Sequence, residues 1–505
     1  MNFRECVAHL DKLGMLCSAT WDQSINPAAI RICGITHHTS KVVKGSIFCC
    51  LHGTRHDGHE FAAEACRKGA AALLCERSLG LENPQLIVRD SRQAMAALAA
   101  FIHGFPAKRL KMIAVTGTNG KSTTTYLTRS ILTAAGLPAG LLGTIIYHDG
   151  MNEVLADRTT PESDEVQEWL SKMARNGCKA CVMEASSHGL ELARLSGCLF
   201  DAVGFTNLTP EHLDFHGNME SYFAAKRRLF SEFTRGSWAG AANADDPYGR
   251  RLVEEFRPKV IPYGLACEGT NNVHGTLLSM TLEGIRLRIH FPGGKTWRDL
   301  KVPLTGRYNI YNILLSATMA WGLGLAGDDI CQGLEKVPQV PGRLERYLFG
   351  NGVCCIIDYA HSPDALRNVL KTLGELATGR IWSVFGMGGN RYAPNRPLMG
   401  NIASELADEL VITMDNPRLE SPAAIAGQIE EGLVKGQRLK NHRIILDRRE
   451  AIHFALDNAR PGDIVLVSGK GPEPYIIIGE EHLPYSDRET VEDWAKARGM
   501  ECPDA

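Results

Sequence analysis

The segment AVTGTNGKSTTTYL, residues 114–127, constrains the fold more than any other part of the chain. The apolar run KMIAV predicts a strand, and a tight glycine-containing turn joins it to a predicted helix that ends near Gly136. A turn of this kind directs several backbone N–H groups at one point, beside a helix N-terminus whose dipole favours an anion. We therefore predict a phosphate-binding loop within an α/β domain.

The loop predicts ATP as its ligand. Lys121 is placed to reach the outer phosphates, and the Ser122 hydroxyl to ligate Mg²⁺. The usual loop pattern has a glycine where this chain has Val115, so the loop is a shortened variant. The alternative to a phosphate-binding loop is an ordinary glycine-rich turn with a surface lysine. The predicted ATP-binding residues are Gly117, Thr118, Asn119, Gly120, Lys121, Ser122 and Thr123.

Composition excludes several classes of protein. The 55 basic and 57 acidic residues give a net charge of −2, and no basic run is longer than KRR, so nucleic acid is not an expected partner. No apolar segment approaches the ~20 residues of a membrane helix, and the N-terminus lacks the long apolar core of a signal peptide. The fifteen scattered cysteines fit buried thiols in a reducing compartment. We expect a cytoplasmic protein that does not insert into membranes.

The chain is long enough for about three domains. Predicted strands and helices alternate along it, which favours parallel sheets with covering helices. We place the domains at residues 1–107, 108–340 and 341–505, with a small antiparallel subsheet in residues 257–304. In the third domain, Ser362 is the predicted N-cap of a helix and Pro363 its first residue.

Glu184 is a candidate magnesium ligand. It belongs to the segment MEASSH and is predicted at the carboxyl end of a strand, in the domain that carries the phosphate loop. An acidic residue at such a strand end commonly holds Mg²⁺. The alternative is a solvated carboxylate. His188 and His212 are further candidates, although a single histidine is usually an ordinary polar residue. From the residues alone, the prediction ends at an enzyme that uses ATP and Mg²⁺ in an unknown reaction.

Taken together, many segments resemble the Mur ligases, the ATP-dependent amide-forming enzymes of peptidoglycan precursor synthesis. They are TGTNGKS, TTPES, MEASSHGL, FTNLTPEHLDFHG, YFAAKRRLF, GRYNIYN, GRLE, IDYAHSPDAL, FGMGGNRYAPNRPLMG, DNPR and SGKGPE. The resemblance spans nearly the whole chain. It implies an N-terminal uridine-binding α/β domain, a central ATP-binding domain with a parallel sheet, and a C-terminal Rossmann-like domain that binds an amino acid.

The DNPR segment at residues 415–418 is similar to the branch of the family that adds meso-diaminopimelate to UDP-N-acetylmuramoyl-L-alanyl-D-glutamate. This resemblance implies that the D-glutamyl γ-carboxylate attacks the γ-phosphate of ATP, and that an amine then displaces phosphate from the resulting acyl phosphate. Lys121, Mg²⁺ and the loop amides would offset the repulsion between the two anions. The implied partners are these two small molecules, and a monomer is expected.

The resemblance also implies two magnesium sites. One Mg²⁺ would contact Ser122 and Glu184, and the second would be held through His212 and a carbamoylated Lys226, an N6-carboxylysine. Taken alone, AAKRRLF predicts a solvated basic helix face, so the resemblance changes the interpretation of Lys226. The implied catalytic residues are Lys121, Glu184, His212 and Lys226.

The family pattern assigns the remaining contacts residue by residue. Further ATP contacts would come from Asn309, Arg343, Asp358 and His361. The UDP-muramoyl dipeptide would contact Thr39, His52, Gly53, Thr159, Thr160, Ser186 and Arg194. Diaminopimelate would contact Arg391, Asp415, Asn416, Pro417, Arg418, Gly469 and Glu473. Because the ATP contacts come from the second and third domains, closure is expected to complete the site.

Specificity is expected to depend on Arg418 and Arg391, because diaminopimelate has a distal carboxylate that lysine lacks and a guanidinium can bind it through two parallel hydrogen bonds. The chain departs from the family at His38-Thr39-Ser40, where D-S-R is usual, and at Pro472 and Pro474, where His and Asp are usual. The alternatives are a ligase for L-lysine or another diamino acid, a folylpolyglutamate-synthetase-like ligase, a non-catalytic ATP-binding scaffold, and a P-loop kinase or ATPase.

Overall fold

The chain folds into mixed α/β structure around three large sheets, each built mainly of parallel strands. The computed structural model describes residues 1–53, 56–267, 269–293, 295–296, 299–434 and 438–500. The chain divides into two units. The first comprises Met1–His274, His290–Trp297 and Tyr311–Leu334, and the second comprises Gly275–Ile289, Arg298–Ile310 and Glu335–Ala505.

The N-terminal sheet has five strands. Its elements are α1 (Phe3–Lys12), β1 (Leu16–Thr20), β2 (Gly34–Thr36), a 3₁₀ turn (Thr39–Lys41), β3 (Ser46–Cys49), a 3₁₀ turn (Gly58–Phe61), α2 (Ala62–Arg67), β4 (Ala72–Cys75), β5 (Gln85–Val88), α3 (Ser91–Ile102) and a 3₁₀ turn (Pro106–Arg109). The strand order is β1-β5-β4-β3-β2, and only β1 runs antiparallel to its neighbour. Strands β3 and β4 are buried along their whole length, as in a parallel sheet covered on both faces.

The central sheet contains the predicted phosphate-loop strand. Its elements are β6 (Lys111–Thr116), α4 (Lys121–Ala134), β7 (Ala139–Leu142), β8 (Ile146–His148), β9 (Glu153–Leu155), α5 (Ser163–Arg175), β10 (Ala180–Glu184), α6 (Ser187–Glu191), β11 (Phe200–Phe205), α7 (Leu213–His216), α8 (Met219–Ser231), β12 (Thr234–Asn243), α9 (Pro247–Glu255) and β13 (Val260–Gly264). Strand β6 lies between β10 and β11 and runs parallel to both. The segments that follow these three strands therefore meet at one edge of the sheet.

An antiparallel segment follows the central sheet. Its elements are β14 (Val273–Thr281), β15 (Gly284–Phe291), β16 (Lys295–Thr296) and β17 (Leu300–Val302), and the helices α10 (Arg307–Gly322) and α11 (Gly327–Glu335) come next. Strand β15 pairs antiparallel with β17, with Ile285 opposite Val302. The predicted antiparallel pairing is confirmed for β15, which also pairs antiparallel with β16, whereas β13 in the same stretch is parallel to β12 and β14.

The third sheet is doubly wound. Its elements are β18 (Glu345–Leu348), β19 (Cys354–Asp358), α12 (Pro363–Leu376), β20 (Ile381–Phe385), α13 (Asn395–Leu406), β21 (Glu409–Ile412), α14 (Pro422–Glu430), β22 (Asn441–Ile444), α15 (Arg448–Asn458), β23 (Ile464–Ser468), β24 (Tyr475–Ile478), β25 (Glu481–Pro484) and α16 (Asp487–Lys496). The order is β18-β19-β23-β20-β21-β22, and only β18 is antiparallel to its neighbour. Ser362 caps α12 by accepting the Ala365 N–H, as predicted.

The predicted α/β fold class with parallel sheets is confirmed. Within the described ranges, none of the helices combines the length and the apolar character needed to cross a bilayer. The three predicted domain boundaries stay a prediction.

Candidate functional site

The phosphate loop requires its two glycines. Gly117 and Gly120 both have positive φ, +138° and +87°. A Cβ atom on Gly117 would overlap the Thr206 hydroxyl, and one on Gly120 would overlap the Asn312 side-chain oxygen. Asn207 also fixes the loop, because its carbonyl accepts the Thr118 N–H at 2.8 Å. The loop therefore has a set shape with no space for larger side chains.

Lys121 and Ser122 open helix α4 directly after the loop. The Lys121 Nζ donates to the carbonyls of Gly117 (3.0 Å) and Thr118 (2.7 Å), so its ammonium lies over the loop. Ser122 and Thr123 are buried in the first turn. The N-cap is Gly120, which has no side chain to accept the first N–H groups of the helix. This geometry fits an anion bound at the loop.

Lys226 on α8 is buried beside the same loop, with 2% of the residue exposed. Its Nζ donates to the Gly117 carbonyl at 2.8 Å and lies 4.5 Å from the centre of the Tyr222 ring. Burial and the nearby Lys121 charge hold the pKa of Lys226 well below its usual value. The solvated-face interpretation of AAKRRLF is therefore wrong for Lys226, although its neighbour Arg227 does form an exposed ion pair, with Glu255.

Glu184 is the last residue of β10, and it is 1% exposed. Its two carboxylate oxygens accept from the N–H and the hydroxyl of Thr144, each at 2.9 Å. Among the described residues, no cationic side chain lies within ion-pair distance of this carboxylate. The solvated-carboxylate alternative is wrong, because the group is buried against neutral donors. A buried carboxylate without a cationic partner fits a Mg²⁺ ligand.

His212 lies in a cluster of aromatic rings. It has a left-handed backbone, with φ of +56°, and its ring centre is 4.9 Å from that of His188. The ring of His216 lies 5.7 Å from His188. Burial and the neighbouring His212 and His216 lower the pKa of His188 to about 4, and burial also lowers the pKa of His212. Neutral imidazoles are the form that binds metals.

The residues predicted to contact the muramoyl dipeptide lie next to Glu184. The Thr160 hydroxyl donates to the Glu184 carbonyl at 2.8 Å and lies 3.0 Å from the Ser186 hydroxyl. Arg194 donates to the Thr160 carbonyl at 3.1 Å. The Thr159 hydroxyl oxygen lies 3.1 Å from that of Thr144, whose single proton goes to the Glu184 carboxylate, so Thr159 is the donor to Thr144. The structure brings these predicted residues together around the end of β10.

Sequence reasoning missed Glu162, which is 3% exposed and binds three arginines. Arg92, Arg158 and Arg194 reach its carboxylate at 3.1, 2.7 and 2.8 Å. Only Arg158, four positions away, could have been noticed from the sequence. The cluster carries a formal excess of positive charge next to Thr160, which suits a polyanionic ligand.

The predicted uridine-end residues lie in the N-terminal sheet region. Thr39 begins a 3₁₀ turn, and His52 lies beside Asp57 and His59. These three side chains have the spacing of a metal site, but both ring nitrogens of His59 are already used, since Nδ1 bonds Asp57 and Nε2 accepts the Glu76 N–H at 3.1 Å. We interpret the cluster as a hydrogen-bond network in which His59 joins Asp57 to the Glu76 backbone.

Three of the remaining predicted ATP residues lie at the start of the third sheet. Asp358 ends β19 and accepts the N–H groups of Leu344 and Ala360, each at 2.8 Å. Burial raises the pKa of Asp358. The Arg343 guanidinium lies 5.1 Å from the centre of the Tyr359 ring, and His361 is exposed. Asp358 thus shapes the turn after β19.

Asn309 is the fourth of these residues, and it is buried near the start of α10, where its amide donates to the Thr305 carbonyl. Asn309, Arg343, Asp358 and His361 belong to the second unit, whereas the phosphate loop belongs to the first. The predicted closure around ATP therefore stays a prediction.

The predicted diaminopimelate residues come from loops after three neighbouring strands. Arg391 follows β20 and is exposed, while Asp415, Asn416, Pro417 and Arg418 follow β21, and Gly469 and Glu473 follow β23. The Asn416 amide donates to Glu473 at 2.9 Å. Arg418 has a left-handed backbone, with φ of +52°, and donates to the Gly389 carbonyl at 2.9 Å. Carboxyl ends of parallel strands are where such folds bind ligands.

Two further buried cations next to these residues were not predicted, Arg396 near the start of α13 and Lys470 in the loop after β23. Arg396 is 1% exposed and bonds Glu420 and the Gly388 carbonyl, so it fastens the loop after β20 to the one after β21. Lys470 is fully buried in the SGKGPE segment. The feature of the sequence that could have drawn attention to Lys470 is its position between Gly469 and Gly471 in this segment.

Backbone strain is concentrated in the same motifs. Six described non-glycine residues have positive φ, and four of them lie in the quoted family segments: His212, Leu344, Asn390 and Arg418. Left-handed conformations of such residues cost about 1–2 kcal/mol each and persist where the surrounding structure determines them.

Comparisons with known proteins agree with the geometry. Residues 31–103 match the catalytic domain of the Mur ligase family, residues 115–320 the Mur ligase middle domain, and residues 342–471 the Mur ligase glutamate ligase domain.

Individual relatives span nearly the whole chain. The chain is 42% identical to the UDP-N-acetylmuramoyl-L-alanyl-D-glutamate–2,6-diaminopimelate ligase of Geobacter sulfurreducens, over 92% of this chain and 96% of the relative. It is 40% identical to the protein of the same name from Geobacillus kaustophilus, over 91% and 94%. A solved structure of a ligase of this name is 30% identical, covers 99% of both chains and has a TM-score of 0.68. The chain therefore belongs to the Mur ligase family.

Proposed function

We propose that the protein is an ATP-dependent ligase that joins meso-diaminopimelate to the D-glutamyl γ-carboxylate of UDP-N-acetylmuramoyl-L-alanyl-D-glutamate, a step in cell-wall precursor synthesis. The names of its relatives support this reaction. The observation that carries the proposal is the buried Lys226 amine bonded to the Gly117 carbonyl of the phosphate loop, beside the Lys121 ammonium. A lysine that only solvates a helix surface would not be buried against the phosphate loop.

In the first step, the γ-carboxylate of the dipeptide attacks the γ-phosphorus of ATP, the bond to the β–γ bridging oxygen breaks, and ADP leaves. Two anions must approach each other, so positive charge has to be present beforehand. The Lys121 ammonium and the N–H groups at the start of α4 supply it at the loop. Arg194 and its neighbours around Glu162 orient the anionic dipeptide.

The residues present fit Mg²⁺. The Ser122 hydroxyl and the buried Glu184 carboxylate are oxygen ligands, and burial, which lowers the pKa of His212, favours its neutral imidazole. When bound, Mg²⁺ supplies positive charge that offsets the repulsion between carboxylate and phosphates.

We further propose that Lys226 carries an N6-carboxy group. The neutral amine attacks CO₂, a C–N bond forms as one C–O π bond of CO₂ breaks, and one amine proton leaves to solvent, so a neutral group becomes an anionic carbamate. Burial supports this modification, because it favours the uncharged amine that reacts. The carbamate oxygens would then complete the donor set with His212.

In the second step, an amine of the diamino acid attacks the acyl carbon and phosphate leaves. We propose that Arg418 and Arg391 bind the distal carboxylate, and that Asn416, Gly469 and Glu473 bind the polar groups next to it. Closure of the ATP residues around the loop would exclude water, because hydrolysis of the acyl phosphate is the wasteful alternative.

The proposed domains are residues 1–107, 108–340 and 341–505, and the three family segments fall inside them. The cytoplasmic location and the monomeric state are proposed from the sequence alone.

The proposal is tested by measuring ADP release with a panel of amino acids. We expect release to require both the muramoyl dipeptide and meso-diaminopimelate, and to drop about a hundredfold or more with L-lysine, which leaves Arg418 without its partner. Equal turnover with L-lysine would refute the specificity, and ADP release without either substrate would identify an ATPase. With ¹⁸O in the γ-carboxylate, label should appear in phosphate, and unlabelled phosphate would exclude the acyl phosphate.

A further inference from the structure

Lys470 is a fully buried lysine in the loop after β23, and the proposed reaction gives it no role. Its Nζ donates to the Asn416 side-chain oxygen at 3.0 Å and to the Glu473 carboxylate at 3.1 Å. Both partners belong to the proposed amino-acid pocket. The ammonium thus joins the loop after β21 to the loop after β23.

The three side chains close a triangle. The Asn416 amide nitrogen donates at 2.9 Å to the same Glu473 oxygen, Oε2, that accepts from Lys470. An ammonium only donates, so the amide oxygen of Asn416 must face Lys470 and its nitrogen must face Glu473. The Ile477 N–H, which also donates to the Asn416 oxygen at 3.0 Å, agrees with this orientation.

The triangle leaves one side of Glu473 open. Its side chain is 22% exposed, whereas that of Lys470 is fully buried. Oε2 accepts from Lys470 and Asn416, whereas within the described part of the chain Oε1 has a single, long contact of 3.5 Å with the Tyr359 hydroxyl. Oε1 is therefore the oxygen that is left to accept a cationic amine from a ligand.

We propose that Lys470 is a positioning residue that holds Asn416 and Glu473 in the geometry needed to receive the ammonium group of the incoming amino acid. The inference rests on the proposed function, since it assumes that this pocket binds the diamino acid. Lys470 also balances the charge of the Glu473 carboxylate. Lys470 itself does not touch the reacting atoms.

The test uses steady-state kinetics of Lys470→Met, Lys470→Arg and the control Lys371→Met, in which an exposed lysine of α12 is removed. We expect Lys470→Met to raise the KM for meso-diaminopimelate about tenfold or more, with the KM for ATP changed less than about twofold. Lys470→Arg keeps the charge and should recover part of the loss. Lys371→Met should match the wild type.

A double-mutant cycle separates positioning from general damage. If Lys470 acts through Glu473, Lys470→Met should raise the diaminopimelate KM much less in a Glu473→Gln background than in the wild type. An unchanged diaminopimelate KM, a parallel rise in the ATP KM, or fully additive effects would overturn the inference. Should Lys470→Met not fold, as judged by its melting temperature, Lys470→Arg and its cycle with Glu473→Gln decide by the same criteria. If ADP release by the wild type did not depend on diaminopimelate, the proposed function would be refuted instead.

Discussion

Arg448 and Asp487 form a two-point ion pair in which both side chains are fully buried, with Nε–Oδ1 and Nη2–Oδ2 distances of 2.7 Å. Arg448 also donates to the carbonyl of Met414 at 3.3 Å and to that of Ser468 at 3.0 Å. Met414 directly precedes the DNPR segment, and Ser468 is the first residue of the SGKGPE segment and the last residue of β23. The ion pair therefore ties together the starting points of the two loops that form the proposed amino-acid pocket.

Asp487→Asn should destabilise the second unit strongly. The substitution leaves the Arg448 charge buried without its partner, which typically costs about 3–5 kcal/mol. Thermal unfolding measures the loss as a lower melting temperature. The control is Asp493→Asn, which removes an exposed partner of Arg449 and should change the melting temperature little. Equal effects of the two substitutions would show that the buried pair contributes no more than a surface pair.

Gly117→Ala should abolish nucleotide binding. A Cβ atom there has no space beside Thr206, and the φ of +138° is unfavourable for alanine. We expect the ATP affinity to drop about a hundredfold or more, measured by calorimetric titration. Gly136→Ala is the matched control, because Gly136 also has positive φ but nothing lies near its Cβ position. It should cost about 1 kcal/mol of stability and leave ATP affinity intact. Similar affinity losses in both variants would contradict the steric argument.

Lys226→Ala should remove ligase activity, at least about a hundredfold in kcat. If the functional group is a carbamate, added short-chain carboxylic acids should restore part of the activity, and removal of CO₂ should reversibly inactivate the wild type. Arg227→Met, an exposed change one position along α8, should keep wild-type activity. Full activity of Lys226→Ala would exclude a catalytic role, and rescue by neutral amides as well as by acids would exclude the carbamate.

Arg418→Ala should raise the KM for meso-diaminopimelate far more than the KM for ATP, because about 2–4 kcal/mol of carboxylate binding is lost. Parallel changes in both constants would mean that Arg418 acts through its bond to the Gly389 carbonyl, as a structural residue. Arg443→Ala removes an exposed arginine of β22 and serves as the control.

Asp463 should make stability depend on pH. Burial alone would raise its pKa, but N–H groups of Arg460, Arg380 and Trp382 bind the ionised carboxylate and hold the pKa below its usual value. A lowered folded-state pKa stabilises the fold above the unfolded-state pKa of ~3.9, and this contribution is lost as the pH falls.

Melting temperatures between about pH 7 and about pH 3 measure this contribution. Asp463→Asn should melt lower than the wild type at neutral pH, and the difference should shrink on acidification. Asp11→Asn, at an exposed position of α1, should not reproduce this pattern. A difference that is constant with pH would contradict the assignment.

Local sequence signals predicted the elements that carry the site. The strand β6, the helix α4, the position of Glu184 at the end of β10 and the Ser362 cap all follow from patterns within a few residues, and the structure confirms them. Such signals act over one or two turns of chain, which is why they can be read in sequence.

The burial of Lys226 and the role of Glu162 could not be predicted in this way. The AAKRRLF pattern gives equal weight to three cations, and only the fold decides which one points inward. Arg92 and Glu162 are 70 positions apart, and Lys470 and Asn416 are 54 apart. Contacts of this range depend on the sheet order, so local patterns could not predict the roles of Glu162 and Lys470. The family resemblance predicted the role of Lys226, but it assigned none to Glu162 or Lys470.

The left-handed conformations of His212, Leu344, Asn390 and Arg418 have a consequence for protein engineering. A laboratory selection for heat resistance alone would favour substitutions that relax these positions, such as glycine for the exposed Asn390, since that relaxation gains stability without removing a buried side chain. The same substitutions would loosen the loops around the bound substrates. Higher thermal stability should therefore come with lower turnover in this chain, and variants that improve one property should be screened for the other.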